Sequence, residues 1–174
     1  VISLDQALQP LLAALPPNVP SAITVDLPGV RLKAEEARRV HPSLTSPQSV
    51  VIVLYSTEDA VREHSVYYVL NGALREVDRE RIKPWRHFIW LLLQGLRKLP
   101  KLRETSYFYR GVRRSAADLG LSPLPPSLNW YGFSSTARSV DVMTTPAFLG
   151  DTGDRTLFQV RLDRDGLAFD IGAF

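Results

Sequence analysis

Before Pro100 the apolar positions recur at helical spacing, and after it they alternate. "SLDQALQPLLAAL" is an apolar helix candidate that Pro10 weakens and Pro16-Pro17 ends. The Pro-rich stretch 16–29, "PPNVPSAITVDLPG", reads as a linker or an extended arm. "LKAEEARRV" predicts a short helix stopped before Pro42. Ser46-Pro47 is a start signal, with proline at the first helical position. The "VVIVLY" behind it is β-branched and leaves helix and strand both open. Ser56 with Asp59 predicts a capping-box-like start for "TEDAVREHSVYYVLNGALRE", in which Val66, Leu70, Ala73 and Leu74 form one apolar stripe. Pro84 opens the strongest helix and Pro100 closes it; Trp85, Phe88, Ile89, Leu92, Leu96 and Leu99 share its apolar spacing. Gly95 costs that helix about 1 kcal/mol relative to alanine, which close packing on a neighbour would explain.

Four later segments are strand-like: "SYFYRGV", "NWYGFSS", "RTLFQVRL" and "GLAFDIGAF". Turn-rich pieces such as "LSPLPPS" and "LGDTGDR" separate them. Phe158, Val160 and Leu162 face one way in the third, and Leu167, Phe169 and Ile171 in the fourth. Helices followed by strands argue for an α+β domain.

Composition narrows the field. The chain has 174 residues, 45% hydrophobic and 22% charged, which suits one globular domain with a real core. The net charge is +3, with both signs interspersed, and this mild excess does not support a dedicated nucleic-acid binder. There is no cysteine, which excludes disulfides and thiolate metal sites and mildly favours a reducing compartment. The longest apolar run, "FIWLLL", is far short of the roughly 20 residues of a membrane span. No signal-peptide pattern is visible, and the chain opens on Val1.

The chemistry centres on "TSYFYRGVRRS", where Arg110 sits in an aromatic run directly before Gly111. Strand alternation puts Arg110 on one face with Phe108 and Val112. Two readings stand side by side: an edge-strand arginine that snorkels to water or pairs with a carboxylate, and a cation aimed at an anionic ligand. Gly111 lacks a side chain, so a flat ligand group could reach its backbone N–H and C=O. "NWYGFSST" adds aromatics and three consecutive hydroxyls at Ser134, Ser135 and Thr136, a cluster that otherwise reads as turn chemistry. His41, His64 and His87 are dispersed with no metal-ligand spacing, "GDTGD" lacks a calcium-loop pattern, and no Ser-His-Asp order appears.

"YFYRGV" followed about twenty residues later by "WYGFSSTA" resembles the arginine–serine part of the R-S-E class of NAD:protein mono-ADP-ribosyltransferases, the arginine-specific, ecto-type and toxin-like group. "VLYSTEDAVREHSVYYVLNGALRE" is similar to that family's helical signature, and "KPWRHFIWLLLQGLRKLP" to the helix before the arginine strand. "FLGDTGDRTLFQV" and "GLAFDIGAF" resemble the segments after the serine strand. The likeness spans residues 43–174 as one ADP-ribosyltransferase-like domain; residues 1–42 form an arm or linker of unassigned role.

The resemblance implies a helical part followed by a split β-sandwich of mostly antiparallel strands around an NAD-binding cleft. It implies that Arg110 holds the diphosphate and nicotinamide ribose, and that the Gly111 backbone reads the carboxamide. Ser135 would buttress the NAD site with Thr136 beside it, although Ala137 stands where the motif has a further serine. Phe148 is the candidate to stack on nicotinamide, and a core phenylalanine is the competing reading. NAD is implied as substrate, a protein side chain (an arginine) as acceptor, and no metal. NAD hydrolysis, or NAD binding without turnover, are the alternatives. The family's Glu-x-Glu is expected beyond the strand that "FDIGAF" begins and is absent from these residues. The expectation is that a further segment carries it; an inactive relative, or a second polypeptide supplying it, are the other readings. Asp163, Asp165 and Asp170 do not form that motif.

Overall fold

Local capping signals set half of the helix starts among the described residues. Thr45 Oγ1 accepts the Gln48 N–H and Gln48 Oε1 accepts the Thr45 N–H, a reciprocal box that starts a helix with Pro47 in its first turn. Asp26 Oδ1 accepts the Gly29 N–H at another start, with Pro28 just inside. The structure is a computed structural model that describes residues 2–12, 25–59, 61–102, 107–145, 149–150, 152–162 and 168–174. The chain divides into two compact units, Val1–Lys101 with Phe169–Phe174, and Leu102–Ala168.

The first unit is helical. Its helices are α1 (Leu4–Leu12), α2 (Leu27–Val40), α3 (Ser46–Ser56), α4 (Val66–Arg75) and α5 (Arg86–Leu96). Single 3-10 stretches, Arg62–His64 and Arg79–Trp85, lead into α4 and α5. α3 is the central element: every residue from Gln48 to Tyr55 is buried, and α2, α4 and α5 all pack on it. That settles "VVIVLY" as helix. A helix apolar all round needs neighbours on all sides, and tertiary packing then outweighs the β preference of valine and isoleucine. α5 turns Phe88, Leu91, Leu92 and Gly95 inward, with Trp85 and Leu99 buried at its two ends. A Cβ on Gly95 would stand 2.9 Å from Ile52 Cδ1 and 3.3 Å from Gln48 Cβ, so the glycine lets α5 approach α3 closely.

Three local expectations change. α2 begins at Leu27, so the end of the expected Pro-rich arm is helical; its earlier part, in 13–24, lies outside the described residues. Ser56 does not start a helix. Its hydroxyl donates back to the Ile52 and Val53 carbonyls at the end of α3. α4 begins only after Ser65, whose Oγ accepts the Asp59 N–H, and its buried stripe runs through Val66 and Leu70. Pro84 falls in the 3-10 stretch, and α5 starts two residues later.

The second unit holds β1 (Tyr107–Val112), α6 (Asp141–Thr144) and β2 (Thr156–Arg161). The two strands pair antiparallel, from Tyr107 opposite Arg161 to Val112 opposite Thr156. Gly150 and Gly153 take positive φ in the turn-rich piece before β2, a conformation that favours glycine.

The expected split β-sandwich is not what forms. Among the described residues there are six helices and one two-stranded sheet. "NWYGFSS" makes no strand; just beyond it Ala137 forms an isolated bridge to β1, exchanging two backbone hydrogen bonds with Tyr109 at 2.8 and 2.9 Å. "GLAFDIGAF" contributes one bridge, Phe169 to Lys101, before Asp170 Oδ1 takes the Gly172 N–H in a tight turn. Leu167 lies outside the described residues. Alternating hydrophobicity marks a half-buried extended chain, but a strand also needs a partner edge along its length, and among the described residues these two segments find one at a single residue at most. Among the described residues, no helix is long and apolar enough to cross a membrane.

Candidate functional site

β1 organises the candidate site within the second unit. Its register with β2 places Phe108, Arg110 and Val112 on one face with Val160, Phe158 and Thr156. The same alternation, continued from the Tyr109–Ala137 pair, brings Thr136 and Arg138 onto that face.

Arg110 and Ser135 come together. Arg110 Nη1 donates to the Ser135 carbonyl at 3.0 Å. The guanidinium carbon lies 5.6 Å from the Trp130 ring centre, and Trp130 meets the ring of Phe158 edge-on at 5.2 Å. The arginine is therefore half-buried and oriented by a ring and a carbonyl, each suited to a cation. Ser135 takes part through its carbonyl; its side chain is exposed, as are those of Ser134 and Thr136. The guanidinium also explains why the segment leaves β1 after Ala137: Ser135 O, next in line to pair with the strand, is taken by the side chain of Arg110.

Gly111 has a different local reason from the one expected. A Cβ there would stand 2.3 Å from Leu149 Cγ, so the missing side chain makes room for Leu149, which is buried. Its backbone is a separate matter. Tyr109 turns its N–H and C=O toward Ala137, and by strand alternation Gly111 turns its own toward the same edge. That edge is where the 130–137 segment peels away. Phe148 lies outside the described residues.

Trp130 and Arg138 were not picked out by the sequence reading. Trp130 belonged to a noted aromatic cluster, but nothing in the sequence tied it to Arg110. Arg138 could have been found by carrying the alternation two residues past Thr136. Its guanidinium carbon lies 5.9 Å from the ring centre of Phe108, on the same face as Arg110.

The helical unit carries no comparable arrangement among its described residues. A cavity of about 180 Å³ is lined by Asp26, Glu58, Asp59, His64 and Lys33 with apolar neighbours. Its three carboxylates already serve local structure: Asp26 caps α2, Asp59 accepts the Val61 N–H, and Glu58 accepts the Tyr67 hydroxyl. His41 stacks on Phe174, and His87 Nε2 accepts from Arg86. Among the described residues no group of three or more His, Cys, Asp or Glu could hold a metal ion. No family model matches the chain, and no curated protein matches it significantly.

Proposed function

We propose that this chain carries the NAD-binding part of a mono-ADP-ribosyltransferase, an enzyme that moves ADP-ribose from NAD to a protein side chain, an arginine, and releases nicotinamide. One observation carries the reading: Arg110 reaches the Ser135 carbonyl, so the arginine and serine motifs meet at one sheet edge. The order and spacing of the motifs support it. The sandwich architecture is no part of it.

The residues present supply binding and orientation. A guanidinium has five N–H groups in a rigid fork, suited to two phosphate oxygens at once. Seating it against Trp130 and Ser135 fixes its direction before ligand arrives, so less freedom is lost on binding. The Gly111 N–H and C=O, turned to the open part of the edge, match the complementary acceptor and donor of a carboxamide. Thr136 and Ser135 offer exposed hydroxyls beside it. In the reaction the bond from ribose C1′ to the nicotinamide nitrogen breaks and an acceptor nitrogen attacks that carbon, then loses its proton. A sugar cation develops, as in glycoside hydrolysis. Its stabilisation belongs to the glutamate of the class, which these residues do not contain.

Calorimetry of NAD binding tests the proposal directly. The chain binds NAD, and Arg110→Ala weakens binding at least tenfold, the scale of one lost charge-assisted contact. Absence of NAD binding by the unaltered chain overturns the reading. Given binding, nicotinamide release with label on protein identifies a transferase; release without label identifies a hydrolase, and no release a binding module.

A further inference from the structure

β2 has one paired edge and one open edge. Tyr109 turns its N–H and C=O toward Ala137, away from β2, so the Tyr109–Gln159 pair exchanges no backbone hydrogen bonds. By alternation the Gly111–Leu157 pair exchanges none either. Leu157 and Gln159 therefore turn their N–H and C=O groups to the far side of β2, and among the described residues none of these groups has a hydrogen-bond partner. β1 is the described element that packs along β2. Leu157 is 45% exposed. Gln159 Nε2 reaches back to the Tyr109 hydroxyl at 3.4 Å, so this side chain lies toward β1 and leaves its own backbone uncovered.

Exposed edges are ordinarily guarded by a charge, a proline or a bulge within the strand. From Thr156 to Val160 β2 carries none: the run is Thr-Leu-Phe-Gln-Val in continuous register with β1, with Arg155 and Arg161 at its ends. A second copy of the same strand matches it. Run antiparallel about a two-fold axis beside Phe158, the copy sets its Gln159 opposite Leu157 and its Leu157 opposite Gln159, and every open group named above gains a partner. On the Arg110 face Phe158 then meets Phe158 of the copy in the close, non-hydrogen-bonded position, and Val160 meets Thr156. Phe158 is half-buried, so part of its ring is available for that contact. At the ends Arg155 comes level with Arg161 of the copy, but the Arg155 guanidinium is already engaged by the Gly150 and Gly153 carbonyls of its own turn.

We infer that the outer edge of β2 is a self-association surface, on which two copies pair β2 against β2 into one sheet of order β1-β2-β2-β1. The pairing closes on itself. The edge left at either end is that of β1, where the bridge from Ala137 to Tyr109 interrupts further strand addition. The occupant is a second copy rather than a foreign peptide because the same residues satisfy both strands and no charge lies within the paired run. The surface is independent of the NAD reading: it lies on β2, across the sheet from the Gly111 backbone groups.

Sedimentation equilibrium of the whole chain tests it. One strand pair is a small interface, so the expected dimer is weak and is followed up to about 0.5 mM chain. Gln159→Pro removes an N–H that β1 does not use and weakens the dimer at least tenfold. Leu157→Pro does the same at the other open N–H and stands in if the first variant melts early. Register is read with cysteine, which the chain otherwise lacks. Residue 158 is the position that meets itself, so Phe158→Cys oxidises to a linked dimer. Leu157→Cys, whose counterpart lies a diagonal away, links far more slowly. A chain that stays monomeric throughout overturns the inference. So does a dimer whose affinity both proline variants leave within about twofold of the unaltered chain, and so does linkage through residue 157 as fast as through residue 158.

Discussion

The helical unit buries long runs of side chains, and the strand unit buries scattered ones. In α3 eight consecutive residues are buried, whereas β2 alternates half-buried and exposed positions along its whole length. Phe88, Leu70 and Leu92 have no exposed surface in the helical unit. In the strand unit Trp130 is 41% exposed and Tyr131 62%. Helices that bury whole faces gain stability from apolar area, at about 1.5–3 kcal/mol for each large side chain fully removed from water. A strand pair with few covered residues depends on particular contacts: a ring on a ring, a cation on a ring, a leucine in the space over a glycine. The lesson is a division of labour, with bulk burial on one side and specific groups held at an edge on the other.

Three substitutions probe that division. Phe88→Ala has the largest expected effect, about 3–5 kcal/mol, because it empties a fully enclosed ring site. Urea unfolding followed by helical circular dichroism measures it, and a loss below 1 kcal/mol would show that the helical interior collapses easily. Gly111→Ala comes next, at about 1–3 kcal/mol, since a methyl there meets Leu149 and forces it to move. Amide exchange along β1 should quicken; unchanged exchange would mean that the space over Gly111 is loose. Trp130→Leu is the smallest, about 0.5–1 kcal/mol, the worth of an exposed cation–π contact. Side-chain relaxation of Arg110 should show greater motion. A stability loss above 2 kcal/mol would make Trp130 a core residue and blur the contrast between the units.

Much of the helical unit could be read from the chain because its signals are local. Ser46-Pro47 marked the start of α3, Pro42 the end of α2, and the spacing of Phe88, Leu92 and Leu99 the buried side of α5. Gly95 was read as a close-packing glycine, and Ile52 is what packs there. "VVIVLY" stayed ambiguous because its state depends on three neighbouring helices, none of them legible from those six residues. The first turn of α4 differs from the expected one because the Ser56 hydroxyl donates back to carbonyls at the end of α3 instead of accepting a backbone N–H, and Asp59 accepts from Val61.

Strand pairing was less legible. Alternation correctly marked β1 and β2, but the same pattern at 129–135 and 166–174 gave no strand among the described residues. Pairing is a property of two segments, and one segment's pattern cannot report whether an edge is available to it. At the candidate site, the arginine and serine segments were picked out by motif. Trp130 and Arg138 were not, because their roles arise from register. Gly111 shows the limit from the other side: a glycine next to an arginine suggests ligand access, while the group that excludes a side chain there is Leu149, thirty-eight positions away.

One amide oxygen in the helical unit serves two distant segments. Gln48 Oε1 accepts the Thr45 N–H and also the Lys98 ammonium at 2.9 Å, while that ammonium holds the Ser43 carbonyl at 3.0 Å. The box at Thr45 can close as soon as α3 forms, but its second fastening comes from fifty positions further along. The start of α3 therefore keeps both of its fastenings only in a chain that already includes the end of α5.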